Sequence, residues 1–370
     1  MTKKFLFLLA LLLPQHLYSD SGKSTLHFLL ENLNARQMGG GGIYAATAKN
    51  ADALNTNPAG LLYTPLPELN FSYVGTHSDG SYTSTNFSTP YWQGKLISFG
   101  VGAGFTYYTA GNIDINYANG SSDSFDAEKS FVAQTGVALE VGKWFSIGAA
   151  PKYVSSLLVE QYLARGWALD AGILIIPFPN LLREKLILGA SVLNLGAPVR
   201  YRTQTQDLPR TEAVGAALTL WNRERFDSFL IQGQMEKTLH EKYRYRLGAE
   251  YGLGGDKEKT FILRGGYLLH FDDKDYTLGL GIREKMLRLD YAYVNGTELG
   301  ITHRFTLSLR FGKTEEEIEK EVKHELLDAE KGLKPEDEVN DKIIQEMNKS
   351  LNKKVDPTLE KEEAIQKSSF

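Results

Sequence analysis

Residues 299–311 alternate without a break. Leu299, Ile301, His303, Phe305, Leu307, Leu309 and Phe311 fall on one face of an extended chain, and Gly300, Thr302, Arg304, Thr306, Ser308 and Arg310 fall on the other. A helix would mix the two sets; a strand separates them. The same split recurs in 243–251 and 287–293. In 96–107 it sets Ile97, Phe99, Val101, Ala103, Phe105 and Tyr107 against Gly100, Gly102 and Gly104. A soluble sandwich does not put apolar residues on one continuous outer face and Arg, Asp and Glu on the other. A barrel in lipid does, because its strands face hydrocarbon with every second residue. The expected fold is all-β: an antiparallel transmembrane barrel of the outer-membrane type.

The period-two signal runs from about residue 67 to 311 and divides into about fourteen strands, an even number as a bacterial single-chain barrel needs. Its connections differ in character. Those over 109–127 and 198–208 are long and polar, while 142–143 and 284–286 are tight. With the N-terminus in the periplasm, the long loops fall outside the cell. Tyr91, Trp92, Trp144, Phe145, Trp167, Trp221 and Phe226 cluster at strand ends and suit an interfacial girdle.

Composition narrows the remaining choices. The 370 residues include no cysteine, so no disulfide framework and no thiolate metal site exists. After residue 19 no apolar run approaches the 20 or so residues that a spanning helix needs. A net charge of −4 gives no reason to expect nucleic acid.

Four regions follow. Residues 1–19 read as a signal peptide, with Lys3 and Lys4 before an apolar core from Phe5 to Leu13. Residues 20–66 are a plug candidate: Leu26, Phe28, Leu29, Leu30 and Leu33 predict a short amphipathic helix that Gly39–Gly42 would break. Residues 67–311 are the barrel. Phe311 closes the last strand like the terminal aromatic of an insertion signal, so the outer-membrane assembly machinery and outer-membrane lipid are expected partners. Residues 312–370 turn abruptly charged. Thr314 to Glu317 reads as a capping box, and Ile318, Val322 and Leu326 recur at helical spacing, as do Val339, Ile343, Met347 and Leu351 after Pro335. Two readings stand for this periplasmic tail: a docking arm for a periplasmic partner, or a solvated tail with transient helices.

Catalytic constellations are weak. Ser21-Gly22-Lys23-Ser24-Thr25 imitates a phosphate loop, but Leu17 stands where its first glycine belongs. His270 with Asp272, Asp273 and Asp275 is the one His/carboxylate cluster, and no serine or cysteine completes a triad. No enzyme, cofactor or metal is expected. The alternation points Arg244, Arg246, Glu250, Arg264, Arg283, Arg288, Asp290, Arg304 and Arg310 into the lumen, with Gln134, Glu140, Lys152 and Asp170 from earlier strands. They are either a charged ladder that holds a filling segment or the wall of a solute path.

One stretch resembles a known family. The sequence from Asp52 to Leu61, DALNTNPAGL, preceded by NARQMGGGGIYAATA, is similar to the N-terminal signature of FadL-like outer-membrane barrels, in particular the PorV/PorQ branch. Leu193-Asn194-Leu195-Gly196-Ala197-Pro198-Val199, followed by Asp207-Leu208-Pro209, resembles a second segment of that branch. Pro58 fixes its own φ, Asn57 can bond its own backbone, and Gly60 is expected at positive φ. The resemblance implies a luminal hatch gated at Asn57, Pro58, Ala59 and Gly60, and favours the structural ladder. It implies passage of long-chain fatty acids or other hydrophobic small molecules, with Leu29, Leu33, Met38, Ile43, Leu54 and Leu61 as the candidate apolar pocket. A different class of function is also implied: a PorV-like accessory barrel of a secretion system, binding secreted cargo proteins through 109–127 and 198–208.

Overall fold

The computed structural model describes residues 26–312, apart from 64–65, 77–78, 94–96, 119–120, 143, 178–184, 203, 224–226, 255–258, 285 and 297–299. The expected signal peptide and charged tail lie outside these residues. Eighteen strands are described: β1 (Glu68–Gly75), β2 (Ser81–Gln93), β3 (Ile97–Thr109), β4 (Asn112–Asn116), β5 (Ser122–Asp126), β6 (Glu128–Val141), β7 (Phe145–Leu158), β8 (Tyr162–Ile175), β9 (Leu186–Gly196), β10 (Val199–Tyr201), β11 (Gln204–Gln206), β12 (Thr211–Arg223), β13 (Asp227–Thr238), β14 (Tyr243–Gly254), β15 (Lys259–Leu269), β16 (Tyr276–Glu284), β17 (Leu287–Gly296) and β18 (Gly300–Arg310).

Fourteen of them form one closed antiparallel barrel, in which each strand pairs with its neighbours in sequence and β1 meets β18 through Leu69↔Leu309. The strand count read from the alternation holds. The outward set is apolar and exposed, with Phe71, Phe105, Ile147, Leu247, Leu263, Leu280, Leu289 and Phe305 among it. The inward set is polar and buried, with Asn70, Asn86, Arg264, Arg288, Asp290, Arg304 and Thr306. Water would not tolerate such an inside-out arrangement, whereas hydrocarbon requires it, and closure leaves no sheet edge with unpaired backbone. Among the described residues no helix is long and apolar enough to cross a membrane; strands do the crossing.

The barrel has two unlike ends. β1 begins and β18 finishes at one of them, here the terminal end. The other, the loop end, carries the two expected long loops, and both contain hairpins. β4 and β5 continue the β3–β6 ladder in one register, from Ile97↔Val141 through Thr109↔Lys129 to Asn116↔Ser122. β10 and β11 form the second hairpin, through Arg200↔Thr205.

Residues 26–63 fill the lumen. The amphipathic helix expected at Leu26–Leu33 is only a 3₁₀ turn, His27–Leu30. Leu26, Phe28 and Leu33 instead insert separately into an apolar cluster on the wall with Val74, Val132, Val154 and Ala168. A short helix α1 (Ala35–Gly39) follows, capped where the Asn34 side chain accepts from the Gln37 N–H at 3.0 Å. The glycine run ends it, with φ of 92° at Gly41 and 71° at Gly42, where other residues are strained. Two further 3₁₀ turns, Asn50–Asn55 and Pro58–Tyr63, lead to β1.

Candidate functional site

The turn at Asn57–Gly60 sits deep in the lumen. Asn57 is fully buried, and its Nδ2 donates to the carbonyls of Ala45 at 2.6 Å, Ile173 at 3.2 Å and Ala190 at 3.3 Å. Its Oδ1 accepts from the Ala59 N–H at 3.2 Å, the local bond expected of this residue. One side chain therefore ties two parts of the luminal segment to β8 and β9. Gly60 does not take the expected positive φ. It is glycine because the Ala48 carbonyl carbon would stand 2.7 Å from a β-carbon there, so close approach, not a left-handed backbone, fixes the residue.

The charged ladder is continuous across wall and luminal segment. Arg264 on β15 bonds Glu250 at 2.7 Å and Asp290 at 2.8 Å. Arg288 on β17 pairs with Asp290 at 2.8 Å and reaches Asp52 of the luminal segment at 3.3 Å. Asp52 also takes Arg36 at 3.4 Å and the Asn70 amide. Burial lifts the Asp52 carboxyl to about 6, against the pull of Arg288 and Arg36. Arg310 and Asn50 share Glu68, at 2.9 Å and 3.0 Å. Higher in the lumen, Arg246 pairs with Glu236 at 2.8 Å and donates to the Gly41 carbonyl at 3.2 Å. Arg304 binds Glu31 and the Asn32 carbonyl. Arg244 pairs with Glu241 at 2.8 Å and lies over the Phe271 ring. Of the charges expected in the lumen, Arg244, Arg246, Glu250, Arg264, Arg288, Asp290, Arg304 and Arg310 each have a partner here.

Above this ladder, towards the loop end, lies a cavity of about 670 Å³. One wall is apolar and aromatic. Phe28 stacks on Tyr108 at 5.7 Å and Tyr108 on Tyr82 at 4.3 Å, with Leu26, Leu33 and Val132 beside them. The other wall is charged. Its four Lys and Arg side chains are already engaged: Lys152 with Asp170 at 2.7 Å, Arg244 with Glu241, Arg246 with Glu236, and Lys274 with Glu31 at 3.0 Å. Glu128 faces the cavity, and among the described residues the Ser130 and Ser156 hydroxyls donate to it, at 2.6 Å and 3.0 Å.

Of the six apolar candidates, Leu29 and Leu33 line this cavity. Met38 packs with Ala35 against Ala292 and Val294, Leu54 and Leu61 pack against Ala138 and Ala150, and Ile43 is fully buried. These four lie between the luminal segment and the wall. The residues missed from sequence are the aromatic pair Tyr82 and Tyr108 and the carboxylate Glu128. Each belongs to an inward strand position that alternation alone would have flagged. His270 stays apart: it is exposed, its Nδ1 lies 3.2 Å from the Tyr243 carbonyl, and among the described residues no His/carboxylate group forms a metal cluster.

No protein-family model matches the chain, and no curated protein matches it in sequence. Solved structures do share its fold. The TodX monoaromatic hydrocarbon channel, in a deltaS2 mutant form, superposes with a TM-score of 0.52 at 13% identity over 76% of this chain and 100% of that one. The toluene transporter TbuX of Ralstonia pickettii gives 0.52 at 14% identity over 77% and 100%. The CymD monoaromatic hydrocarbon channel gives 0.52 at 12% over 76% and 98%. At these identities the likeness is one of fold.

Proposed function

We propose that this barrel lies in the outer membrane, with the terminal end in the periplasm, and passes neutral hydrophobic compounds inward by passive diffusion. The observation that carries this reading is the two-faced cavity under the loop end. Its aromatic wall offers apolar cargo a dry place to partition, while every Lys and Arg of the charged wall among the described residues is already engaged with a carboxylate. A fatty-acid carboxylate would bring one more negative charge beside Glu128. The FadL-like resemblance and the channel names of the structures that share the fold point the same way, and the cavity favours uncharged compounds over fatty acids. In this reading residues 26–63 act as the hatch. Its outer part, 26–33, moves, and the Asn57–Gly60 turn is the pivot at which it stays clamped to the wall.

The test is binding to the purified, detergent-solubilised barrel. Toluene or dodecanol should bind at least tenfold more tightly than laurate at neutral pH, and Glu128→Gln should narrow that gap. Laurate binding as tightly as dodecanol would overturn the preference. Absence of binding by all three would overturn the transport reading.

A second reading has one observation of its own. The β4–β5 hairpin rises beyond the barrel rim and keeps the outward apolar pattern, with Ile113, Ile115 and Tyr117 exposed. Above lipid such a face suits a protein partner, as a PorV/PorQ-like accessory barrel of a secretion system would need. Capture of a secreted cargo protein by the natural barrel, lost in an Ile113→Ser/Ile115→Ser variant that still binds toluene, would favour it.

A further inference from the structure

One carboxylate on the cavity wall differs from the rest. Glu128 is the first residue of β6, half-buried and facing the cavity. The hydroxyls that bond it, Ser130 at 2.6 Å and Ser156 at 3.0 Å, both go to Oε1. Among the described residues Oε2 takes no donor, and no Lys, Arg or His forms an ion pair with this carboxylate. Lys129, next in sequence, lies on the opposite face of β6 and is taken by Asp126. The other carboxylates of the wall are engaged. Glu31 and Asp273 share Lys274, Glu236 takes Arg246, Glu241 takes Arg244, Asp52 takes Arg288, and Asp272 has a partner as well.

Aromatic rings lie beside it. Tyr82, Tyr108, Ser130 and Ser156 form one inward row across β2, β3, β6 and β7. Glu128 is two residues from Ser130 on the same face of β6, so it is the diagonal neighbour of Tyr108. Diagonal neighbours are about 7–8 Å apart, within reach of long side chains. Phe28 stacks on Tyr108 from the luminal segment and extends the aromatic surface. An ammonium group uses both parts. The carboxylate offers a charge-assisted hydrogen bond, and the ring faces offer the negative side of the aromatic quadrupole. The two serine hydroxyls hold the carboxylate in position beforehand, so little ordering cost is left for binding.

We propose that the cavity binds hydrophobic primary amines in their ammonium form, with the nitrogen on Glu128 Oε2 and the hydrocarbon along Phe28, Tyr108 and Tyr82. The inference rests on the reading of this cavity as a site for apolar cargo and adds its charge preference: cation over neutral, neutral over anion. A primary ammonium has three N–H donors. One bonds Oε2, and the others keep water, because Glu128 is only half-buried. The charge is therefore never fully stripped of its hydration, which is what makes buried ion pairs costly. A quaternary head has no N–H for Oε2 and gains less. Neutral compounds still enter along the aromatic wall, and the carboxylate selects among compounds of one hydrocarbon frame.

Equilibrium dialysis of the natural barrel, purified in non-ionic detergent, against phenylbutylamine and phenylbutanol tests it. The two probes share one hydrophobic frame and differ in the head. At neutral pH the amine should bind at least fivefold more tightly than the alcohol. Glu128→Gln keeps the size of the side chain and an oxygen for the serine hydroxyls. It should bring the amine down to within twofold of the alcohol and leave alcohol binding as it was. Alcohol binding with no advantage for the amine, or an advantage that survives Glu128→Gln, would overturn the amine site and leave the neutral-cargo reading standing. Binding of neither probe by the natural protein would overturn both.

Discussion

Gly39 of the luminal segment and Gly279 of β16 touch backbone to backbone: a β-carbon on either would stand 2.7 Å from the Cα of the other. Neither side can yield by turning a side chain, because both are main chain. Gly279→Ala should therefore cost about 1–3 kcal/mol through overpacking and loosen residues 35–42. Gly265→Ala, one strand away where nothing lies within 4 Å, should cost little. Thermal loss of the heat-modifiable folded form, with hydrogen exchange over α1, separates the two. Equal melting of both variants would show that the segment is not wedged against the wall.

Asn57 holds three carbonyls through one amide. Asn57→Ala leaves the Ala45, Ile173 and Ala190 oxygens without this donor and should cost about 1–3 kcal/mol. Asn57→Asp keeps the shape and should be worse at neutral pH, because it aims a carboxylate at the same three oxygens. Unfolding in urea on detergent-solubilised protein gives the order. If Asp proved milder than Ala, the amide would not be the clamp.

Much of this was legible beforehand because alternation reports directly which way a strand residue points. Parity alone points Arg264, Arg288, Asp290 and Arg304 into the lumen, and counting the alternating runs gives fourteen strands. The luminal segment was harder. Its apolar residues have no single period, because Leu26 and Phe28, Met38, and Leu54 and Leu61 serve three separate clusters. At Gly60 the local sequence points to a left-handed turn, but it does not show which backbone comes near; the Ala48 carbonyl decides the residue. The long polar loops hid hairpins because Asn, Asp and Ser mask the alternation of Ile113, Ile115 and Phe125.

Arg288 is the joint between wall and luminal segment. Arg288→Met would leave Asp52, Glu68 and Asp290 with less counter-charge in a buried place and should cost about 3–5 kcal/mol. Asp52→Asn should cost much less. Burial has already raised this carboxyl to about 6, so its neutral form is near at hand, and Asn70 keeps an oxygen to donate to. The double variant should recover part of the Arg288→Met loss. Strict additivity in urea unfolding would mean that the two groups do not interact.

Glu31 sets an acid limit on the outer part of the luminal segment. Burial alone would raise its carboxyl, but Arg304 and Lys274 outweigh that and hold it down to about 2, against 4.5 when free. The folded value lies below the unfolded one, so protonation favours release. The contribution is full above pH 4.5 and is lost as pH falls from there towards 2. A nitroxide at Leu30→Cys, the single cysteine of such a chain, should be held at pH 6 and gain mobility across that window. Lys274→Gln removes one of the two opposing cations, so its transition should begin at higher pH. A label equally mobile at pH 6 and pH 3, or a transition centred above pH 5 in the otherwise natural chain, would show that this ion pair does not hold residues 26–33 in place.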